Sequence, residues 1–287
     1  MDSVTPYSAV IIAYRRPDLL RELLGRLAAQ RARPEHVLVV DNGGDLPADT
    51  PTWSDLPLTV ITRPDNPGYA VAVNLAREAL PGGFLLVLTH DAEFGPELGE
   101  ALVAALEHTP GAGAAAPVLH RGSEPDRVFS AGGRLTPRGR ALHDVSPLEP
   151  GAVRRADWLD GAIIMYDRTA LDAIDWISED YFLYFEDVDT GWRLARAGYA
   201  SIVVGDAVAT QEPGLHPTSL GIRNMVLFGR TAGIPRRRTA GAVIRRVAEE
   251  SAVALTRGHL PPLRAAWRGW RDGVRGLRGK PDVWPPR

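Results

Sequence analysis

The feature that most constrains this chain is an alternation in its first 110 residues. Short β-branched and aliphatic runs take turns with longer segments whose apolar residues recur at helical spacing. Ser8–Tyr14 (SAVIIAY) reads as a buried strand. Pro17 then suits the first turn of a helix, and Leu19, Leu20, Leu23, Leu24 and Leu27 continue it. Pro34 ends that pattern. His36–Val40 (HVLVV) predicts a second strand, closed by the turn Asp41-Asn42-Gly43-Gly44. Leu58–Thr62 predicts a third strand, Ala70–Leu80 a small-residue helix, Phe84–Leu88 a fourth strand, and Gly99–His108 another helix. Strands separated by helices predict right-handed βαβ units and a mostly parallel sheet. Such sheets bind ligands beyond the carboxyl ends of their strands. The polar residues that close each run are therefore candidates: Tyr14-Arg15, Asp41-Asn42, Arg63 to Asn66, and Thr89 to Glu93. Any one of them alone reads as an ordinary turn.

Several chemistries are excluded. No GxGxxG opens the first helix and no GxxxxGK[ST] is present, which argues against a dinucleotide dehydrogenase or a P-loop NTPase. The chain has no cysteine, so disulfides, thiolate catalysis and Cys-based zinc sites are out. The N-terminus MDSVTPY has no basic start or apolar signal core, and the longest apolar runs are too short to span a bilayer, so a cytoplasmic protein is expected.

"YFLYFEDVDTGW" (Tyr181–Trp192) poses a different question. An aromatic run leads into Glu186, Asp187 and Asp189, although buried carboxylates are costly and crowded ones repel. A helix from Asp187 to a C-cap at Gly198 accounts for acids in the first turn, where the dipole favours them. A catalytic carboxylate beside a cleft accounts for the aromatics as well.

Taken in order, "IIAYRRPDLLRELLGRLAAQ", "VLVVDNGG", "NPGYAVAVN", "LTHDAEF", "DGAIIMYDR" and "YFLYFEDVDTGWRLARAGY" resemble the family 2 glycosyltransferases. The resemblance covers about residues 8–230 and is closest to bacterial rhamnosyl- and galactofuranosyltransferase-like enzymes. It implies an α/β GT-A fold: a single Rossmann-like, mostly parallel sheet flanked by helices, with a nucleotide half (1–115) and an acceptor half (116–230). It also implies an inverting transfer from a dTDP- or UDP-sugar to a hydroxyl of a glycan, lipid-linked glycan or secondary metabolite. On that resemblance Ala13, Tyr14, Arg15 and Asp41 hold the nucleotide, together with Asn66, Gly68, Asn74, His90 and Arg223. Gly68 gives the ligand a close approach to backbone, Asn74 braces the loop, and Arg223 neutralises the diphosphate. Trp158, Asp160 and Gly161 form the sugar pocket. Asp187 is the general base, and Glu186 and Asp189 orient the acceptor or the loop. Asp91 holds Mg²⁺ or Mn²⁺, with Glu93, Gln211 or His216 as further ligands. This chain departs from the family at Thr89-His90, where an acid is usual, and at Gln211, where a histidine is usual. Two readings stand beside this one. A degenerate domain would bind a nucleotide or a partner without turnover. A sugar-nucleotidyltransferase would need a glycine- and basic-rich loop, which "AYRRPDLL" lacks.

The remaining segment, 231–287, reads as a basic helical extension. From Gly221 onward the chain carries 15 Lys/Arg and 4 Asp/Glu, against 18 and 31 before it. Leu263, Ala266, Trp267, Trp270, Val274 and Leu277 recur at helical spacing among arginines. This tail either lies on an anionic membrane surface, closes over the acidic body, or pairs with another subunit. No nucleic-acid partner is expected.

Overall fold

The computed structural model describes residues 5–212, 214 and 216–282. The predicted first half is present with small shifts: β1 (Tyr7–Ala13), α1 (Pro17–Ala28), β2 (His36–Asp41) and β3 (Leu58–Thr62). α2 (Tyr69–Asn74) and α3 (Ala76–Ala79) follow, then β4 (Phe84–Thr89), β5 (Glu93–Phe94) and α4 (Leu98–His108). The single helix expected over 70–80 is interrupted at Leu75, which keeps helical angles (φ −60°, ψ −25°).

The second half adds β6 (Ala112–Arg121), β7 (Glu124–Ser130), the hairpin β8 (Gly133–Leu135) and β9 (Ala141–His143), and β10 (Val153–Ala156). β11 (Ile163–Asp167), α5 (Arg168–Ala173), α6 (Glu186–Arg196), β12 (Ala200–Gln211) and α7 (Thr218–Thr231) come next. The tail folds as α8 (Arg236–Thr256) and α9 (Leu263–Arg275).

One sheet runs in the order β10-β12-β6-β11-β4-β1-β2-β3. β1 to β4 are mutually parallel, and β6 and β12 share their direction. β11 runs against β4 and β6, so its start meets the same edge where the parallel strands end. Both faces are covered, as parallel strands require. Ala9, Ile11 and Ala13 of β1 face α1 and α4, while Val10 and Ile12 face α2 and α5. A third cluster joins Tyr181, Phe185 and Val188 to Ile222 and Phe228 of α7 and to Ala242, Val243 and Ala266 of the tail.

Candidate active site

The strand ends meet where the sequence predicts. Asp41 closes β2 and is buried. Its Oδ1 accepts from the Gly43 and Gly44 amides (3.1 and 2.8 Å) and its Oδ2 from Leu46 (3.2 Å). A carboxylate has about four lone-pair sites, so this turn leaves capacity for one more donor. Ala13 is buried at the end of β1, whose carbonyl takes the Asn42 amide (2.8 Å). Tyr14 is half-buried beside an exposed Arg15, whose guanidinium lies 5.0 Å from the Tyr14 ring centre. Asn66 adopts φ 45° in the turn after β3. Gly68 (φ 101°) is required for another reason than the sequence suggests: an added Cβ would lie 2.3 Å from the Phe182 carbonyl oxygen. The close approach is to the protein's own loop. Asn74 braces that loop from below: its Nδ2 donates to the Ile177 carbonyl and Glu179 Oε1 (both 2.9 Å), and its Oδ1 accepts from the Ile177 amide.

The loop reaches α6 through a strained backbone. Phe182, Tyr184 and Phe185 have φ of 66°, 70° and 75°, which non-glycine residues seldom adopt. The conformation is held from α7. Asn224, fully buried, donates to the carbonyls of Tyr181, Leu183 and Tyr184 at 2.7 to 3.1 Å. Arg223 donates to Tyr181 O (2.7 Å) and Gly279 O (2.9 Å) and, through Nε, to Asn224 Oδ1. The sequence reading set Arg223 at the donor diphosphate. Its donors are instead engaged by protein oxygens on the far side of the loop.

The three acids of α6 have separate surroundings. Asp189 is buried, pairs with Arg193 (2.7 Å) and accepts from the Tyr181 hydroxyl (3.1 Å), so it fastens the loop. Glu186 is 5% exposed and its Oε2 has no partner among the described residues; burial pushes its carboxyl up to about 7. Asp187 is half-buried, and its Oδ1 accepts from the Val188 amide (2.8 Å). Burial, then Glu186 and Asp160, holds its carboxyl well above the usual carboxylate range. Asp160 stands before β11, half-buried. Burial raises it too, opposed by His143 and reinforced by Asp91. Asp160 thus feels Asp91, and Asp187 feels both Glu186 and Asp160, so their negative charges act on one another. Tyr69 stands among these acids, its hydroxyl donating to the Gly161 carbonyl (2.7 Å).

Other predicted residues lie differently. Trp158 is no open stacking surface: it is buried, its ring against Gly133 and edge-on to His143. Glu93 is exposed and pairs with Arg26 (3.2 Å). His90 Nδ1 lies 3.2 Å from the Ile12 carbonyl, fixing the end of β4 to β1. His216 stacks on Tyr184 (4.1 Å between centres), toward Arg246 and Glu250 of α8. Gln211 follows Thr210, which pairs with Glu93, so it ends β12 beside the Asp91–Ala92 turn. Its Oε1 is buried with no partner among the described residues. The sequence reading missed His143 and Asn224. A lone histidine in a hairpin gives no signal, and Asn224 is a neutral residue beside the charged Arg223, with nothing in the sequence to mark its contacts.

The family model "Glycosyl transferase family 2" matches residues 8–151, half of the chain. The chain is a family 2 glycosyltransferase. It is 29% identical over 237 residues to the N-acetylglucosaminyl-diphospho-decaprenol L-rhamnosyltransferase of Mycobacterium tuberculosis, covering 72% of this chain and 75% of that one. Solved structures share the GT-A fold at low identity. The mannosyltransferase PcManGT from Pyrobaculum calidifontis, in complex with GDP-Man and Mn²⁺, superposes with a TM-score of 0.56 at 16% identity, over 96% of this chain and 87% of that one. TarS 1-349 of S. aureus, in complex with UDP-GlcNAc, gives 0.57 at 16% identity, over 95% and 82%. GalNAc-T7 with UDP, GalNAc and Mn²⁺ gives 0.65 at 14% identity; this chain spans 48% of its length.

Proposed function

We propose that this glycosyltransferase moves a rhamnose-like sugar, or another hexose, from a dTDP- or UDP-activated donor to a hydroxyl of a lipid-linked glycan, with inversion. The observation that carries the reading is the half-buried Asp187, which feels the buried Glu186 and the half-buried Asp160. The likeness to the mycobacterial rhamnosyltransferase supports the choice of sugar and acceptor.

A sugar hydroxyl is a weak nucleophile at neutral pH, and a carboxylate placed against it takes its proton as it attacks. The raised pKa makes the Asp187 carboxylate a stronger base than an ordinary one, which brings its proton affinity closer to that task. Attack on the face opposite the leaving diphosphate inverts the anomeric carbon. Asp41 offers an acceptor to the N3–H of uracil or thymine, and Tyr14 a flank for the base. Asp160 and the Gly161 backbone border the sugar. The strained 182–185 segment fixes Asp187 in direction, which is where positioning lowers a barrier.

The residues present fit a hard cation. Asp91 has no ion-pair or hydrogen-bond partner among the described residues, and Gln211, whose Oε1 is a buried oxygen without a partner among them, ends the strand that runs beside the Asp91–Ala92 turn. Among the described residues no three His, Cys, Asp or Glu gather as a metal cage. Two protein oxygens suit Mg²⁺ or Mn²⁺, which keep waters and phosphate oxygens as their other ligands. When bound, such an ion would neutralise charge on the diphosphate.

The decisive experiment incubates the enzyme with dTDP- and UDP-sugars and a lipid-linked N-acetylglucosaminyl acceptor, and reads the new anomeric configuration by NMR. Transfer with inversion is expected; a retained anomer or no transfer from any nucleotide sugar would refute the reading. Thermal stabilisation by dTDP or UDP with Mn²⁺ reports donor binding independently.

A further inference from the structure

α9 is two-sided. Ala266, Gly269 and Gly273 are buried against α7, and a Cβ at Gly269 would lie 2.2 Å from the Ser219 carbonyl oxygen. That close fit fixes which side faces outward. Leu263, Trp267 and Val274 form one outward row, 59%, 67% and 38% exposed. Successive helix residues advance about 100°, which sets Arg264, Arg268, Arg271 and Arg275 as the adjoining row. Apolar and basic rows both exposed on one helix match an interfacial helix rather than an ordinary surface one.

The basic row borders a cavity. Between α7, α9 and residues 277–282 lies a space of about 420 Å³, lined by Arg223, Arg268, Arg271, Arg278 and Lys280 with only two aspartates, Asp272 among them. Arg271 pairs with Asp272 and Arg278 with Asp180. Arg268 has no partner among the described residues. Arg223 is 4% exposed, yet its partners are neutral oxygens and no carboxylate lies within ion-pair distance among the described residues. Its counter-charge, Asp272 across the cavity, stands beyond ion-pair distance, and a buried cation so poorly compensated is costly. An anion entering the cavity relieves that cost.

We propose that this cavity takes the headgroup phosphate of an anionic membrane lipid, with Leu263 and Trp267 entering the apolar layer beside it, so that α9 is the face by which the enzyme sits on a bilayer. Guanidinium groups match phosphate oxygens in geometry and charge. The apolar row on the same helix selects a lipid over a soluble phosphate. The inference deepens the function proposed above by naming how the enzyme meets a lipid-borne acceptor. Docking also reaches the site mechanically, because Arg223 joins the cavity to the Tyr181 carbonyl of the strained loop.

Co-sedimentation of the full chain with vesicles tests this, with neither donor nor acceptor present, so a failed transfer assay and a failed docking assay are read separately. The probes are phosphatidylcholine alone and phosphatidylcholine with phosphatidylglycerol. Binding only to the mixed vesicles is expected, weakening as salt rises, with a blue shift of tryptophan emission that Trp267→Ser removes. Each basic side chain near an anionic surface contributes roughly fivefold in affinity, so Arg268→Glu is expected to weaken binding about twentyfold. Equal binding to both vesicles, or an unchanged Arg268→Glu variant, overturns the proposal. Thermal stabilisation by inorganic pyrophosphate, together with vesicle binding that survives Trp267→Ser, assigns the cavity to a free phosphate and also overturns it.

Discussion

At the scale of single residues, two neighbouring carboxylates divide the work. Asp187 is half-buried, as the proposed base must be, whereas Glu186 is buried with an oxygen that has no partner among the described residues. Asp187→Asn keeps the shape and removes the base. The expected loss in kcat is about 10²–10⁴-fold, with dTDP or UDP binding retained in calorimetry. A variant with full activity would remove Asp187 from the mechanism. The raised carboxyl of Asp187 also places the acid limb of the kcat/KM profile above the ordinary carboxylate range. Glu186 carries a stability prediction instead. Its folded-state pKa of about 7 lies above that of an unfolded glutamate, so the folded protein binds the extra proton between those values. That stabilisation is complete below the unfolded pKa and is lost as pH rises through about 7. Glu186→Gln is therefore expected to melt about 2–4 °C above the wild type at pH 8, for a relief of about 1 kcal/mol, and no higher at pH 5. A thermal melt at the two pH values checks it, and equal shifts at both would show that Glu186 is ionised throughout.

Legibility in the sequence differs sharply between elements, and for physical reasons. β1, β2 and β4 are buried on both faces, so they read as unbroken apolar runs. β6 (AGAAAPVLHR) is just as buried but is built of alanines and a proline, which carry no strand signal. β12 slips register between Val204 and Val208, which hides its length. α6 was legible from its acids and its terminal glycine, with Gly198 at φ 91° just past Ala197. The backbone strain at 182–185 was not, because those aromatics gain their positive φ from tertiary contacts. The site divides the same way. Asp41, Asp91 and Asp187 follow from strand and helix ends, whereas Asn224 is contributed by a helix about 40 residues later whose role exists only in the fold. Asn224→Ala removes this donor from the Leu183 and Tyr184 carbonyls and leaves Tyr181 O to Arg223, at a cost of about 1–3 kcal/mol. Asn224 holds the end of the loop that leads into the acids, while the Gly68 turn is held by its own contact with Phe182 O, so kcat is expected to fall at least tenfold while affinity for the nucleotide alone stays within about twofold. Steady-state kinetics beside nucleotide calorimetry separate the two. Equal losses in both would make Asn224 a general stability residue.

At the scale of the whole molecule, the basic tail is part of the catalytic body. Ala242, Val243 and Ala266 complete the same apolar cluster as Tyr181, Phe185 and Val188, which present the acids. The segment after α9 then ties both halves together. The Gly279 amide donates to the Asp180 carbonyl, Arg278 pairs with the Asp180 side chain, and Lys280 donates to the Asp65 carbonyl beside the donor turn. An acidic body and a basic tail attract at long range, but the tight packing of Gly269 and Gly273 on α7 shows that shape decides where the tail sits. The full chain is therefore expected to unfold in one calorimetric transition. A chain ending at Thr231 would expose Ile222, Met225 and Val226, each worth about 1.5–3 kcal/mol of lost burial if fully uncovered. Even half of that total lowers the melting temperature by about 5–10 °C or more at 2–4 °C per kcal/mol. It also frees the Arg223 guanidinium from Gly279, so loss of activity should exceed loss of nucleotide binding. Two separate transitions in the full chain, or a truncated chain that melts and turns over like the full one, would show instead that the tail is an independent appendage and that the route from α9 to the acids carries nothing.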